Sequence, residues 1–329
     1  MKKVLIGLLF IITLFSTSCT FGGGSVTTFR NNDIEKETID TIKVLDDKVL
    51  ESIKDNDVDK VLDISSKSIK NDSAKLKELL KNINESAKDR SFDYKDRYYC
   101  KVNKVGKYNF TIGTLEDDPF YIKVDALSTD VFVSLIKSNS KINDYMLSLI
   151  YIKEQGEWKL NTFYFGDYSY QGMNASELYK EAKSLNSKGY TVPAGLYLSL
   201  SSRLLRPAPF LQYKEESEIV SYGKNLQDSI KKNYGFPKKL ESASEIEIYG
   251  LDVQCVKEGL LPVIKYTTNT ELINENAVKK EANVIDKEVI NLYPGMKETF
   301  KFFLYEAYSE PPVDPKIKYN CYRTVVNHN

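Results

Sequence analysis

The sequence predicts an α+β fold in which helices and antiparallel strands occupy separate stretches of the chain. Apolar residues recur at helical spacing over 34–88, and from 91 to 168 they alternate with polar residues as in half-buried strands. Helical and alternating segments return after residue 170. We therefore expect N-terminal helices packed on a curved antiparallel sheet, a middle helical module and a small C-terminal α+β domain.

Residues 1–18 have the layout of a bacterial secretion signal. Lys2 and Lys3 precede a mainly apolar run of 12 residues at 4–15. As a helix this run would be about 18 Å long, which is shorter than the roughly 30 Å hydrocarbon core of a bilayer. The segment is therefore predicted to be a signal peptide and not a membrane span.

The end of this signal carries a further motif. Small residues at 16–18 lead directly to Cys19, and this arrangement resembles the lipobox of bacterial lipoproteins, although Ser16 stands where the family usually has leucine. The resemblance implies cleavage between Ser18 and Cys19 and a diacylglyceryl group, with fatty-acyl chains such as palmitate, on the Cys19 thiol. Two acyl chains hold a protein stably on a membrane. The alternative is an ordinary signal that contains a cysteine by chance.

The segment 19–32 is predicted to link the lipid to the globular part. It contains three consecutive glycines at 22–24 and several small polar residues. Such a composition is typical of a flexible tether.

The first domain is predicted at 33–170. Apolar spacing indicates helices at 34–55, 57–69 and 74–88. Alternating segments follow at 92–94, 108–112, 120–124 and 131–133. Two longer strands, 144–154 and 157–168, are joined by a tight turn at Gln155 and Gly156.

Two stretches of this domain, NDVDKVLDISSKSI (56–69) and LIYIKEQGEWKLNTFYFG (149–166), resemble the nuclear-transport-factor-two-like superfamily. The resemblance implies helices that pack across a concave sheet and leave a conical pocket. Some members are enzymes that use Asp, His or Tyr in the cone, and many bacterial extracytoplasmic members have no known chemistry. No histidine falls within 33–170, so a dyad with an imidazole does not carry over.

The middle module is predicted at 171–236. Asn174 or Ser176 can cap a first helix, Pro193 fits the first turn of a second, and a third spans 214–233. The first two helices resemble one tetratricopeptide-type hairpin. No second copy follows at that family's repeat length, so no solenoid is predicted.

The C-terminal domain is predicted at 237–329. The pattern indicates strands at 244–257 and 261–268, a helix at 275–292, a second helix at 296–308 and a last strand at 317–326. The second helix is predicted from a stripe of apolar residues at helical spacing that begins at Met296 and ends at Ala307.

Composition excludes several classes of protein. The 46 basic and 46 acidic residues balance, which argues against a general nucleic-acid binder. The single histidine, His328, lies next to the C-terminus, where the chain is expected to fray, so a Ser-His-Asp or Cys-His enzyme and a multi-histidine zinc site are not expected.

The remaining candidate sites are weak. Asp55, Asp57 and Asp59 begin like a calcium loop, but the glycine and glutamate that the loop requires are replaced by Lys60 and Ser66. Acidic groups at 116–118 and at 215–218 are interpreted as a solvated turn and a helix start. A further set of residues, Tyr145, Tyr151, Tyr164, Tyr168 and Tyr170, either lines a groove or serves the sheet.

Three cysteines follow Cys19. Cys100, Cys255 and Cys321 are widely spaced, and we expect them to be buried free thiols, with a pair between Cys255 and Cys321 as the alternative. We predict no catalytic, cofactor-binding or metal-binding residue.

The favoured hypothesis is a lipid-anchored protein on the extracytoplasmic side of a bacterial cell membrane, on a Gram-positive surface. It would be a binding or interaction protein and not an enzyme. Its expected partners are the bilayer, through acylated Cys19, and an envelope protein or glycan, with no nucleic acid. The alternatives are an envelope enzyme with carboxylate or tyrosine chemistry in the cone, and a transporter-associated solute receptor.

Overall fold

The structure is a computed structural model that describes residues 18–328 except 22–23, 115–118, 242–244, 313 and 315. The fold is α+β, as predicted. The signal run at 4–15 lies outside the described residues. Ser18 and Cys19, the predicted cleavage and lipidation positions, begin the first strand.

The N-terminal region contains helices α1–α4 and strands β1–β8; β1 and β2 precede α1, and β3–β8 follow α4. The helices are α1 (Lys36–Asp55), α2 (Val58–Ile64), α3 (Lys67–Asn71) and α4 (Ser73–Ala87). The strands are β1 (Ser18–Phe21), β2 (Gly24–Arg30), β3 (Ser91–Val102), β4 (Asn109–Ile112), β5 (Phe120–Asp125), β6 (Asp130–Asn139), β7 (Asn143–Glu154) and β8 (Glu157–Tyr170). The predicted helices and long strands are confirmed here, with the helix expected at 57–69 divided into α2 and α3.

Six of these strands form an antiparallel sheet in the order β1-β2-β3-β6-β7-β8. Helices α1–α4 cover one face, where apolar side chains such as Ile42 and Leu80 pack against Phe132 and Leu149. The other face contributes Val133 to a second core, which it shares with the rest of the chain. The sheet is therefore buried on both sides.

The segment 19–32 differs from the predicted tether. Residues 24–30 form β2, whose partners run from Val26 opposite Val102 to Arg30 opposite Tyr98. Val26 is buried, and Arg30 forms a 2.7 Å ion pair with the buried Asp96. The three glycines at 22–24 led to the prediction of a tether. The β-branched and aromatic residues that follow, at 26–29, favour a strand, and they pair with β3.

The middle region contains α5 (Ala175–Ser187), α6 (Thr191–Arg203), a short strand β9 (Leu211–Tyr213) and α7 (Glu216–Tyr234). The prediction of three helices is confirmed. Asn174 caps α5 in a reciprocal arrangement with Glu177, in which each side chain accepts a hydrogen bond from the other residue's backbone N–H. Strand β9 joins β4 and β5 in a three-stranded sheet.

The C-terminal region contains β10 (Lys238–Lys239), β11 (Glu247–Val256), β12 (Gly259–Thr267), α8 (Glu275–Leu292), α9 (Met296–Thr299), β13 (Phe302–Tyr308) and β14 (Cys321–Asn327). The strands form one sheet in chain order, in which β12 and β13 are parallel and the other neighbours antiparallel. Helix α8 crosses one face and buries Val278, Ala282, Ile285 and Val289.

The prediction of a helix at 296–308 is wrong beyond its first turn. Residues 302–308 form β13, the strand between β12 and β14. Most of β13 is buried, with Phe303 and Tyr305 on one face and Leu304 and Glu306 on the other. A strand buried on both faces is a continuous apolar run, and periodicity does not separate such a run from a buried helix.

One hydrophobic core joins the three regions. It contains Val133 of the large sheet, Leu178 and Leu198 of the helical module, and Ile285 and Phe303 of the C-terminal sheet and helix. The helical module therefore packs between the two α+β units and shares its core with both of them.

Candidate functional site

A cavity of about 740 Å³ opens between α6, α7 and β11. This volume falls within the roughly 300–1,000 Å³ of typical small-molecule sites. Its walls are mainly aliphatic, and its apolar lining residues are Val192, Leu196, Leu198, Leu205, Val220, Leu226, Ile230, Phe236 and Leu251. We call it the α6–α7 groove.

The local sequence explains the shape of the groove. Pro193 lies in the first turn of α6, where its missing N–H costs little. Gly195 and Gly223 lie on the facing sides of α6 and α7, and a Cβ added at Gly195 would come within 2.4 Å of the Cδ1 atom of Ile230. The helices therefore approach each other closely at Gly195.

An ion pair lies at the wall formed by β11. Arg203, in the last turn of α6, places Nη2 2.6 Å from Oδ1 of Asp252 and donates a second hydrogen bond to the carbonyl of Val253. Burial alone would raise the pKa of Asp252, but the backbone N–H of Val253 and the charges of Arg203 and Lys265 hold that pKa below its ordinary value. Asp252 is thus a charged acceptor and not a proton donor.

Lys224 supplies a second positive charge. It is exposed on α7 and lines the groove with Gln227. Among the described residues no carboxylate forms an ion pair with Lys224. The groove therefore combines aliphatic walls with a cation that is free to pair with an anionic group, and no two ionisable groups in it are arranged as an acid and a base.

The predicted cone of the N-terminal region is filled with side chains. At its centre the fully buried carboxylate of Asp46 accepts hydrogen bonds from Tyr151, Ser134 and Tyr94, at distances of 2.7, 2.8 and 3.0 Å. Burial raises the pKa of Asp46 from its ordinary value of 3.8 to about 6. The cavities found at the edges of α1–α4 have no Asp46 in their lining.

Asp46 was not identified as a candidate from the sequence, although a signal was present. It lies on α1 between Ile42 and Val49, at the spacing that places all three on the buried face of the helix. An acidic residue within an apolar stripe indicates a buried polar partner. The structure assigns it a role in the packing of α1 on β6 and β7.

The structure does not gather the other sequence candidates into one site. Asp57 caps α2 by accepting a hydrogen bond from the backbone N–H of Asp59, and Asp55 pairs with Lys60 at 2.7 Å, so the segment is the predicted junction between helices. The acidic group at 116–118 lies outside the described residues. The acidic group at 215–218 lies at the start of α7, as expected: Glu215 occupies the N-cap position without a side-chain capping bond, and Glu216 pairs with Arg206 at 2.8 Å.

The five tyrosines do not line a common groove. Tyr151 and Tyr168 are buried, whereas Tyr164 is 39% exposed and lies near Phe210. The ring of Tyr145 lies 4.6 Å from that of Phe165 in a tilted arrangement, and Tyr170 is opposite Asn143 at the end of β8. The reading of these residues as structural members of the sheet fits this arrangement.

The expectation that His328 frays is wrong. Its side chain is 6% exposed, its ring centre lies 4.2 Å from that of Phe303, and its backbone N–H donates to the carbonyl of Lys301. The Nε2 atom is 3.1 Å from Oδ1 of Asp286, which also accepts a hydrogen bond of 2.7 Å from Tyr305. His328 is therefore held against α8 and β13.

Cys100, Cys255 and Cys321 are free thiols. Cys100 is buried, as expected, but Cys255 and Cys321 are partly exposed, and they do not pair with each other. They lie on different strands of the C-terminal sheet, β11 and β14, which are separated in the strand order by β12 and β13.

Within the described residues, no group of three His, Cys, Asp or Glu side chains is placed to hold a metal ion. In the same part of the chain, no helix is both long and apolar enough to cross a bilayer. Comparisons with known protein families, with curated proteins and with solved structures found no match.

Proposed function

We propose that this chain is a lipoprotein of the bacterial envelope, anchored through Cys19, that binds an elongated amphiphile in the α6–α7 groove. The amphiphile has an aliphatic body and an anionic end group. The observation that carries the binding role is the groove itself, with its aliphatic walls and a volume of about 740 Å³. The anchor is supported by the signal layout at 1–18 and by the position of Cys19 directly after it.

The chemistry of the walls favours this ligand over a glycan. Aliphatic side chains from α6, α7 and β11 form most of the lining, and Phe236 is the aromatic residue among them. Glycans stack on aromatic rings and need many hydrogen-bonding groups, whereas an acyl chain needs apolar area. Lys224 supplies positive charge for a carboxylate or phosphate, whereas Arg203 in the same lining is paired with Asp252.

A catalytic role in the N-terminal cone has less support. The carboxylate of Asp46 is the ionisable group at its centre, and all three of its hydrogen bonds come from side chains of the core. A general acid or base must reach the substrate, and Asp46 and Tyr151 are 0% exposed. The observations therefore favour a binding protein.

The nuclear-transport-factor-two-like resemblance of the first region remains part of this proposal. It is supported by the four helices α1–α4 on one face of an antiparallel sheet. The tetratricopeptide-like hairpin is supported by the contact between α5 and α6.

The anchor is tested by metabolic labelling with a tagged fatty acid. Wild type and Cys100→Ser are expected to carry the label and to fractionate with membranes, whereas Cys19→Ser is expected to lose the label and to enter the medium. Cys100 is the control because it is a buried free thiol elsewhere in the chain. A label that persists in Cys19→Ser contradicts the anchor.

The groove is tested with a fluorescent fatty acid and the purified protein. Val220 lines the groove and is 56% exposed, so Val220→Asp places a charge on the wall with little effect on the core. Binding is expected to weaken at least about tenfold, because an apolar chain would have to desolvate that carboxylate. Asn225→Asp is the matched control, since Asn225 is exposed on α7 outside the groove. Equal binding by the two variants contradicts the proposal.

A further inference from the structure

The backbone of Cys19 lies near one end of the large sheet. Cys19 is opposite Val26 in the β1–β2 pair, and Val26 is opposite Val102 in the β2–β3 pair. Neighbouring strands are about 4.8 Å apart, so two spacings place Cys19 roughly 10 Å from Val102. Val102 is the last residue of β3, and the chain then enters the loop 103–108.

This loop is held in place by hydrogen bonds. The backbone N–H of Asn103 donates to Ser25, and the Asn103 side chain accepts from the N–H of Ser25. The N–H of Gly106 donates to Ala126, and the Tyr108 hydroxyl donates to the carbonyl of Lys104. The loop therefore presents its remaining side chains from a fixed position beside β2.

The exposed side chains of the loop are basic and apolar. Residues 97–114 contain four basic residues and no acidic residue. Lys104 and Lys107 are exposed, and within the described residues no carboxylate pairs with either of them. Val105 is 47% exposed, and Leu127 in the adjacent loop is also 47% exposed.

The carboxylates of the described residues at this end of the sheet include Asp125, Asp130, Glu154 and Glu157, where β5 and β7 end and β6 and β8 begin. Asp125 is exposed at the end of β5. Asp130 accepts hydrogen bonds from the Tyr99 hydroxyl and from Thr129. The Asp130 carboxylate is therefore turned toward the sheet, and Glu157 pairs with Lys159 at 2.7 Å. Lys104 and Lys107 have no carboxylate partner among the described residues, so their charges stay available to an anionic surface.

We propose that Lys104, Val105, Lys107 and Leu127 form a membrane-docking surface for an anionic bilayer. The two lysines contact headgroup phosphates, and the two apolar side chains enter the interfacial layer. The inference rests on the proposed acylation of Cys19. Five residues separate Cys19 from Ser25, so the segment spans at most about 20 Å and the acyl anchor holds this end of the sheet at the lipid.

The test uses the acylated full-length protein in proteoliposomes. The variant Val105→Trp introduces an indole at the docking surface. The native Trp158, packed near Tyr99 and Phe132, also fluoresces, and its signal is measured in wild type and subtracted. Brominated lipids are expected to quench the introduced indole in phosphatidylglycerol vesicles. Ile273→Trp is the control, because Ile273 is 86% exposed on a loop of the C-terminal region, and no quenching is expected there.

Charge is tested in the Val105→Trp background. Lys104→Gln with Lys107→Gln is expected to reduce the ratio of docked to undocked protein about thirtyfold, since each lysine at an anionic surface contributes about a factor of five. Lys77→Gln with Lys81→Gln is the matched control on α4, which leads into the opposite end of β3. It is expected to leave the ratio unchanged.

The outcomes separate the two proposals. Protein that does not incorporate into vesicles and carries no acyl label refutes the anchor. Protein that incorporates but shows equal quenching at positions 105 and 273 refutes the docking surface and leaves the anchor intact. Quenching that does not change when both lysines are replaced also refutes the docking surface.

Discussion

The hydroxyl of Tyr151 donates a 2.7 Å hydrogen bond to Oδ1 of Asp46, and this bond joins helix α1 to strand β7 in the centre of the N-terminal core. Both residues are 0% exposed. Ser134 and Tyr94 donate to the other carboxylate oxygen. The helical layer is therefore tied to the sheet by a polar cluster as well as by apolar packing.

Tyr151→Phe is expected to lower the free energy of unfolding by about 1–3 kcal/mol, because one oxygen of a buried carboxylate loses its donor. Urea denaturation measures this change. Tyr145→Phe is the control on the same strand, since its hydroxyl makes no hydrogen bond among the described residues and its ring lies under Arg90. Equal losses in both variants would show that the Asp46 bond contributes nothing specific.

The stability of the protein is expected to depend on the titration of Asp46. Burial raises the pKa of this folded-state carboxyl to about 6, above its ordinary value of 3.8, so the folded state binds the proton more tightly than the unfolded state. The resulting stabilisation is complete below the ordinary pKa and is lost as the pH rises through about 6. Each pH unit between the two pKa values corresponds to about 1.4 kcal/mol, so the loss approaches about 3 kcal/mol.

Asp46→Asn provides the comparison for this pH effect. Urea denaturation of both proteins at a series of pH values from about 4 to 7 is expected to show wild type losing stability relative to the variant. A difference in unfolding free energy that stays constant over this interval would mean that Asp46 does not titrate with a raised pKa.

Gly295→Ala is expected to destabilise the protein by more than about 3 kcal/mol. Gly295 has a φ of +85°, and an added Cβ would lie 2.1 Å from Cγ of Tyr190. Gly189→Ala is the matched control because Gly189 has a φ of +81° with nothing within 4 Å of an added Cβ. This control measures the cost of placing a side chain on a residue with positive φ, which is about 1–2 kcal/mol, without the contact to a neighbouring ring. Thermal denaturation that ranks the two variants equally would contradict the close contact.

His328→Ala is expected to destabilise the C-terminal sheet by about 2–4 kcal/mol, because the buried ring that packs on Phe303 is removed. Hydrogen exchange of the β13 and β14 amides gives a local measurement. Val325→Ala serves as the surface control on β14, since Val325 is 54% exposed. Unchanged exchange in His328→Ala would restore the interpretation of a frayed terminus.

The three thiols are expected to differ in reactivity. Burial raises the pKa of the Cys100 thiol to about 12, so a thiol reagent at pH 8 should leave it unmodified until the protein unfolds. Cys255 and Cys321 are partly exposed and should react in the native state. Mass spectrometry of the labelled peptides provides the measurement, and Cys100→Ser fixes the baseline. Native-state labelling of Cys100 at the rate of Cys321 would contradict its burial.

The α6–α7 groove shows why the candidate site was not predicted. Its lining comes from residues as far apart in sequence as Val192 and Asp252, and each of them reads as an ordinary helix or strand position. Aliphatic residues carry no motif that separates a ligand-contacting side chain from a core side chain. The ionisable residues of the lining, Arg203, Lys224 and Asp252, form no recognisable motif in the sequence.

Local pattern alone determined most of the secondary structure of this protein. Helices α1, α4, α5, α7 and α8 and the β7–β8 hairpin follow from periodicity and capping, because an amphipathic element records its buried face in its own residues. Tertiary structure decided β2, β13 and the burial of His328. Each of these depends on a partner distant in sequence: β3 for β2, β12 for β13, and Asp286 of α8 for His328. Pairing with a distant strand, or burial on both faces, does not produce an alternation of apolar and polar residues in the segment, so its sequence pattern does not reveal the strand.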